Sequence, residues 1–141
     1  MSDISIIGGG VAGLCVASEL VARGLHVRIY DKAGKPGPHG CSWWAGGMLA
    51  PFCESESAEE PVRIFGAEAA DWWQQRTNVV TRGSLVLASP RDAADLNRFA
   101  RLTEAHETVD ADAISTLEPG LGTRFPRGLF FANEAHINPR Q

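Results

Sequence analysis

Six residues near the start of the chain, Gly8-Gly9-Gly10-Val11-Ala12-Gly13, leave few folds open. Three glycines in succession end whatever regular element precedes them. Before them stands Ile4-Ser5-Ile6-Ile7, a short apolar run that reads as a buried strand. After them, Val11 to Arg23 carries apolar residues at 14, 16, 17, 20 and 21 and closes at Gly24. That is the pattern of a helix with a glycine stop. His26 to Asp31 reads as a second strand, with Val27 and Ile29 apolar. Strand, glycine turn, helix and strand within about 30 residues is the size of a βαβ unit.

The turn matches G-x-G-x-x-G and has the context that such a string requires: a strand before, a helix opening inside it, and an acid after the next strand. Asp31 lies 21 positions after Gly10, close to the roughly 20 expected of a dinucleotide fingerprint. Each residue type has a physical task. Gly8 permits the tight turn out of the strand. Gly10 has no Cβ, so a pyrophosphate can approach the backbone. Gly13 lets the helix pack close to the sheet. The helix N-terminus offers free amides and a partial positive charge to phosphates. Asp31 can accept hydrogen bonds from ribose hydroxyls and disfavours a 2′-phosphate, which argues against NADP. A glycine turn in a nucleotide-free domain is the plain alternative, but it has no need of an acid at that distance. The turn alone does not separate FAD from NAD.

Composition narrows the remaining classes. With 141 residues, one domain or one domain plus part of another is expected. Acids outnumber bases 17 to 13, for a net charge of −4, which argues against a nucleic-acid binder. Apolar residues make up 44% and charged residues 21%, the balance of a globular chain and not of a disordered one. No apolar run approaches the roughly 20 residues of a membrane helix. The first apolar stretch has no basic leader, so it does not read as a signal peptide, and a cytoplasmic location is expected. Cys15, Cys41 and Cys53 are too few and too irregular for a disulfide framework. His39, Cys41 and Cys53 do not match a zinc spacing, and no metal is expected.

Beyond the fingerprint, Lys32 to Gly47 is too rich in glycine and proline for a regular element. It reads as a long loop, and Trp43, Trp44, Met48 and Leu49 suggest that it packs against something. The acids from Glu54 to Glu60 read as a solvated helix entrance. Val62, Phe65, Ala69, Trp72 and Trp73 predict one helix over Pro61 to Arg76, with the tryptophans serving packing. Further along, the pattern predicts a strand over Ser84 to Ala88 and a helix from a Ser89 cap with Pro90 at its first position to about Leu102. A short helix over Asp110 to Leu117 and a strand at Leu129-Phe130-Phe131 follow.

The segment Cys41-Ser42-Trp43-Trp44-Ala45-Gly46-Gly47-Met48-Leu49-Ala50-Pro51-Phe52-Cys53-Glu54, together with the fingerprint, resembles the D-amino-acid oxidase superfamily of FAD-dependent amine oxidases. Within it, Gly-Gly-Met-Leu-Ala-Pro followed by Glu54 is similar to the glycine oxidases of thiamin biosynthesis. The resemblance implies that this loop runs beneath the flavin. By it, Val11 and Ala12 match the turn at the pyrophosphate, and Asp31 and Lys32 match the ribose-contacting pair. Cys41 and Ser42 match a polar pair at the cofactor, and Gly46, Gly47 and Met48 match the stretch beside the flavin ring. Some relatives attach flavin through a histidine just before the Ala-Gly pair. Trp44 stands there, so non-covalent FAD is implied.

The implied fold class is α/β: a Rossmann-like FAD-binding βαβ unit, an incomplete doubly wound sheet, followed by the start of an α+β substrate domain. The implied divisions are 1–78 for the FAD-binding part, 79–133 for the start of the substrate domain, and 134–141 for the return. Family members are far longer, so the chain resembles the N-terminal part of such an enzyme, with the substrate-clamping arginine lying beyond Gln141. The resemblance implies oxidation of a small amino acid to its imine, with electrons passed through FAD to oxygen to give hydrogen peroxide. A thiazole-forming biosynthetic partner and a homo-oligomeric full-length protein are also implied. No residue of this chain is expected to act as acid or base, and Glu54 reads as a helix-entrance acid. A D-amino-acid oxidase or dehydrogenase would share these motifs. A non-catalytic nucleotide-binding module is the alternative of another class, and two parallel strands are too few for such a module to stand alone.

Overall fold

A computed structural model describes residues 4–141. The chain divides into two compact units, one of residues up to Gly46 with Pro139–Gln141, the other Gly47–Asn138.

In the first unit, β1 (Ile4–Ile7), α1 (Val11–Ala22) and β2 (Val27–Tyr30) realise the expected βαβ order. β1 and β2 pair in parallel, Ile4 opposite Val27 and Ile7 opposite Tyr30. The amide of Gly8 bonds the Tyr30 carbonyl at 2.8 Å and extends the ladder into the turn. At the other end of α1, Gly24 takes φ +77°. Its amide bonds Val21 O at 2.9 Å and that of Leu25 bonds Leu20 O at 3.1 Å, the paired bonds of a glycine-terminated helix. The expected long loop after Asp31 contains one regular piece, a 3-10 turn at Cys41–Trp44.

The second unit holds two three-stranded antiparallel sheets. Its elements are β3 (Met48–Leu49), α2 (Pro51–Glu54), α3 (Glu60–Gly66), α4 (Ala69–Gln74), β4 (Val79–Thr81), β5 (Ser84–Leu87), α5 (Ala93–Leu102), β6 (Glu107–Asp110), α6 (Ala111–Leu117), β7 (Arg127–Phe131) and β8 (Ala135–Ile137). One sheet runs β3-β8-β4 and the other β5-β7-β6. Leu96 of α5 packs on Leu129 and Phe131 of β7, with Phe52, Val86 and Phe99 around them. Phe99 and His106 both meet the Phe131 ring edge-on, at 6.3 and 5.4 Å.

The single helix expected over Pro61 to Arg76 is two, α3 and α4. The break follows Gly66, where a Cβ would lie 2.7 Å from Pro51 Cβ, so close packing on α2 holds the glycine there. Trp72 and Trp73 meet edge to face at 4.9 Å, and the Arg76 guanidinium lies 3.6 Å over Trp72. The Ser89 hydroxyl bonds the Asp92 carboxylate at 2.6 Å and not a helix amide. Pro90–Asp92 form a 3-10 turn, and α5 begins only at Ala93. Asp110 does cap α6, accepting the Ala113 amide at 2.9 Å. Of the acids between 54 and 60, Glu54, Glu59 and Glu60 are exposed, while Glu56 pairs with Arg98 at 2.7 Å. The compact units divide at Gly46/Gly47 and Asn138/Pro139, because β8 pairs with both β3 and β4 and draws all three strands into one body.

Candidate cofactor site

The site is built where β1, α1 and β2 meet. β1 ends at Ile7, and Gly8 turns the chain with φ +105°, a conformation that side chains rarely adopt. A Cβ on Gly13 would collide with the Gly8 carbonyl oxygen and come within 3.4 Å of Ile6 Cγ2. Glycine at 13 is therefore required by the contact of α1 with the turn. Gly10 differs. Among the described residues, a Cβ there would meet only Ser42 Oγ, at an ordinary 3.6 Å, and the space beside Gly10 is otherwise open. The amides of Ala12 and Gly13 lie in the first turn of α1, where a helix has no carbonyl of its own to offer them.

Asp31 follows β2 directly and is tied back to the turn. Its Oδ2 accepts the Gly9 amide at 3.0 Å, and its Oδ1 accepts the Ala33 amide at 2.9 Å. His39 Nε2 lies 3.0 Å from the same Oδ1. The Ala33 and Gly9 amides, with a smaller contribution from His39, hold the carboxyl below its ordinary value, so it is a pure acceptor at neutral pH. A carboxylate offers about four lone-pair sites, and these three contacts leave capacity for a further donor. Ser42, in the 3-10 turn, accepts the Val11 amide on its Oγ at 3.1 Å and so reaches the start of α1. Accepting there leaves the hydroxyl hydrogen, a donor, to be placed elsewhere.

The structure thus brings Gly8, Gly10, Val11, Ala12, Gly13, Asp31 and Ser42 together in one unit. Lys32, Cys41 and Gly46 are exposed in that unit, while Gly47 and Met48 belong to the second. Gly47 has φ +70°, and Met48 is exposed in β3. Two participants escaped the sequence reading. Gly9 is a free position of the fingerprint, yet its amide anchors Asp31. A Cβ on it would press on Asp31 Oδ2 at 3.2 Å, and a glycine at this free position, between the two of the fingerprint, was the available signal. His39 approaches Asp31 across a loop, for which the sequence carries no spacing rule. These residues fit an adenosine diphosphate group: a backbone open at Gly10, helix amides facing it, and an ionised acceptor at Asp31.

The profile of the family described as FAD dependent oxidoreductase (DAO) matches residues 3–141. The chain is 51% identical over 140 residues to a protein of Rhizobium etli named "Putative thiamine biosynthesis oxidoreductase ThiO". The match covers 98% of this chain and 42% of that protein, so the chain spans less than half the length of this relative. Among solved structures, glycine oxidase from Bacillus cereus superposes with a TM-score of 0.77 at 21% identity, over 99% of this chain and 42% of that one. Glycine oxidase from Geobacillus kaustophilus gives 0.74 at 22%, over 98% and 41%. At such identities the superpositions speak to fold, which is that of the N-terminal part of those enzymes. With the profile matched along nearly its whole length, the chain belongs to the DAO family of FAD-dependent oxidoreductases.

Proposed function

We propose that this chain is the cofactor-holding N-terminal part of an FAD-dependent oxidase of small amino acids, glycine foremost, that serves thiamin thiazole formation. The observation that carries the cofactor reading is one arrangement: open backbone at Gly10, with Asp31 anchored to the Gly9 amide beside it. The thiamin assignment is supported by the 51% identity to the Rhizobium etli protein.

In this reading Gly8, Gly10, Val11, Ala12 and Gly13 receive the pyrophosphate, and Asp31 and Lys32 the ribose. Cys41 and Ser42 are the polar pair that contacts the cofactor, while Gly46, Gly47 and Met48 line the flavin ring. FAD, when bound, supplies two-electron oxidation of the amine, with oxygen as acceptor. The residues of this chain bind and orient, and none of them gives or takes a proton. The cofactor is held non-covalently, with Trp44 at the position where some relatives carry an attaching histidine. Residues 1–78 and the return at 134–141 belong to the FAD domain of the whole protein, and 79–133 to its substrate domain. The whole protein is a cytoplasmic homo-oligomer that delivers its product to a thiazole-forming partner. No helix among the described residues is long and apolar enough to cross a membrane.

The test is to express the polypeptide encoded by the whole gene and to measure hydrogen peroxide with glycine and with D-alanine. Acid precipitation should release all the flavin into the supernatant. Faster turnover of glycine supports the reading. Preference for D-alanine moves the protein to the D-amino-acid oxidases, and a purified protein without flavin refutes the proposal.

A further inference from the structure

Glu134 is the one charged residue among the buried described residues, 1% exposed in the turn between β7 and β8. Its Oε1 accepts the Cys53 amide at 2.7 Å, across 81 positions of sequence. Its Oε2 is buried with no hydrogen-bond partner among the described residues. A carboxylate buried and only half satisfied is costly, so its persistence asks for a purpose.

The Cys53 amide is the third of α2, the one that a helix-capping side chain normally takes. The residue at the cap position is Ala50, which has no acceptor to give, and no local side chain caps the helix. Glu134 supplies that acceptor from the far end of the unit. Its own carbonyl accepts the Gly83 amide at 2.9 Å, which fixes the turn that carries it. The next residues continue the hold. Ala135 pairs with Leu49 and His136 with Met48 in the β3–β8 ladder. The Ile137 amide then bonds the Gly47 carbonyl at 2.8 Å. Residues 134 to 137 therefore grip the stretch from Gly47 to Cys53 at both ends and along its middle.

We propose that Glu134 is a positioning residue for the cofactor: by capping α2 it fixes the backbone of Gly47 and Met48, the segment set beside the flavin ring. This rests on the FAD reading above. Only the acceptor at Oε1 is needed, so Gln should replace Glu, whereas Asp, one methylene shorter, should not reach the Cys53 amide.

The experiment uses the holoprotein from the whole gene and three variants, Glu134→Gln, Glu134→Asp and Glu134→Ala. Apoprotein is titrated with FAD by flavin fluorescence, and the visible absorption and circular dichroism bands of the bound flavin are recorded. Wild-type-like bands and an affinity within about threefold are expected for Gln. Displaced bands and an affinity weakened about tenfold are expected for Asp and Ala, the scale of one lost hydrogen bond. Should the Ala variant not fold, the order of Gln and Asp decides. Equal effects of Gln and Asp, or a larger effect of Gln, overturn the proposal. So do folded Asp and Ala variants that melt early yet keep wild-type bands and affinity, since Glu134 would then be structural only. A wild-type protein that takes up no FAD refutes the functional reading and the positioning role with it. Loss confined to the variants leaves the functional reading intact.

Discussion

Replacing Gly10 by alanine should separate folding from cofactor binding. Gly10 has φ −77° and ψ 178°, extended backbone that alanine adopts freely. Among the described residues, the added methyl would touch only Ser42 Oγ, at 3.6 Å. Removing a glycine from the unfolded chain stabilises by about 0.4–1 kcal/mol. Alanine is a poorer helix N-cap than glycine by about 0.5–1 kcal/mol. The two effects offset, so the apoprotein should melt within a few degrees of wild type. The bound state is different, because the methyl fills the space that the pyrophosphate is to approach. Overpacking of that kind costs roughly 1–3 kcal/mol, or about 5- to 150-fold in Kd. The assay pairs a thermal melt of apoprotein with an FAD titration, on the polypeptide from the whole gene. An affinity unchanged within twofold would refute the open-backbone argument. A large fall in apoprotein melting temperature would show that Gly10 serves the fold instead.

Gly13→Ala should do the opposite, destabilising the apoprotein by about 1–3 kcal/mol because its methyl meets the Gly8 carbonyl, a group that cannot move aside; a denaturant titration reads this directly. Asp31→Asn keeps one acceptor oxygen where the Gly9 and Ala33 amides bond two different ones, so one of these bonds is lost, and weaker FAD binding and a lower melting temperature at pH 7 are expected. The folded Asp31 has a lowered pKa, so the native state prefers the carboxylate, and this share of stability is present above about pH 4 and lost as pH falls through the folded value. The Asn variant should lack that acid-side loss, which a melting series from about pH 5 down to about pH 2 would detect. Burial, and then the Glu134 carboxylate, push the Cys53 thiol up to about 11. It should react with iodoacetamide far more slowly than exposed Cys41 at pH 8, as peptide mapping would show, because about 0.1% of it is thiolate there. The native state holds that proton more tightly than the unfolded chain, so stability should fall as pH rises from about 9 towards 11.

What the sequence revealed and what it concealed divide by distance along the chain. The βαβ unit was legible because its signals are local: apolar runs of strand and helix period, glycines at both ends of α1, and Asp31 at a fixed offset. The short strands were not. Met48–Leu49, Val79–Thr81 and Ala135–Ile137 are two or three residues each, too short to show a period, and they exist as strands because they pair with one another. Glu107–Asp110 offers one buried apolar side chain, Val109, among polar ones, and is a strand because β7 lies beside it. The close approach of Pro51 to Gly66, at the end of α3, spans fifteen positions and leaves no local mark in the sequence. At the site, the fingerprint glycines and Asp31 could be named in advance, since the turn and the acid belong to one motif. The approach of His39 to Asp31 and of Glu134 to Cys53 could not, because each is a product of tertiary folding.

The strand order β3-β8-β4 also has a consequence for the way the protein is made. β8 is the central strand of that sheet and the last element of the unit to leave the ribosome. At about 5–20 residues per second, some 5–20 seconds pass between synthesis of Met48 and synthesis of Ile137. Both strands of the βαβ unit are already made when that interval begins, since their pairing lies within the first 30 residues. β3 and β4 meanwhile wait without their shared neighbour, with Met48 and Val79 open to any passing edge. Of the described strands, β3 and β4 are therefore the ones whose edges stay unpaired longest during synthesis.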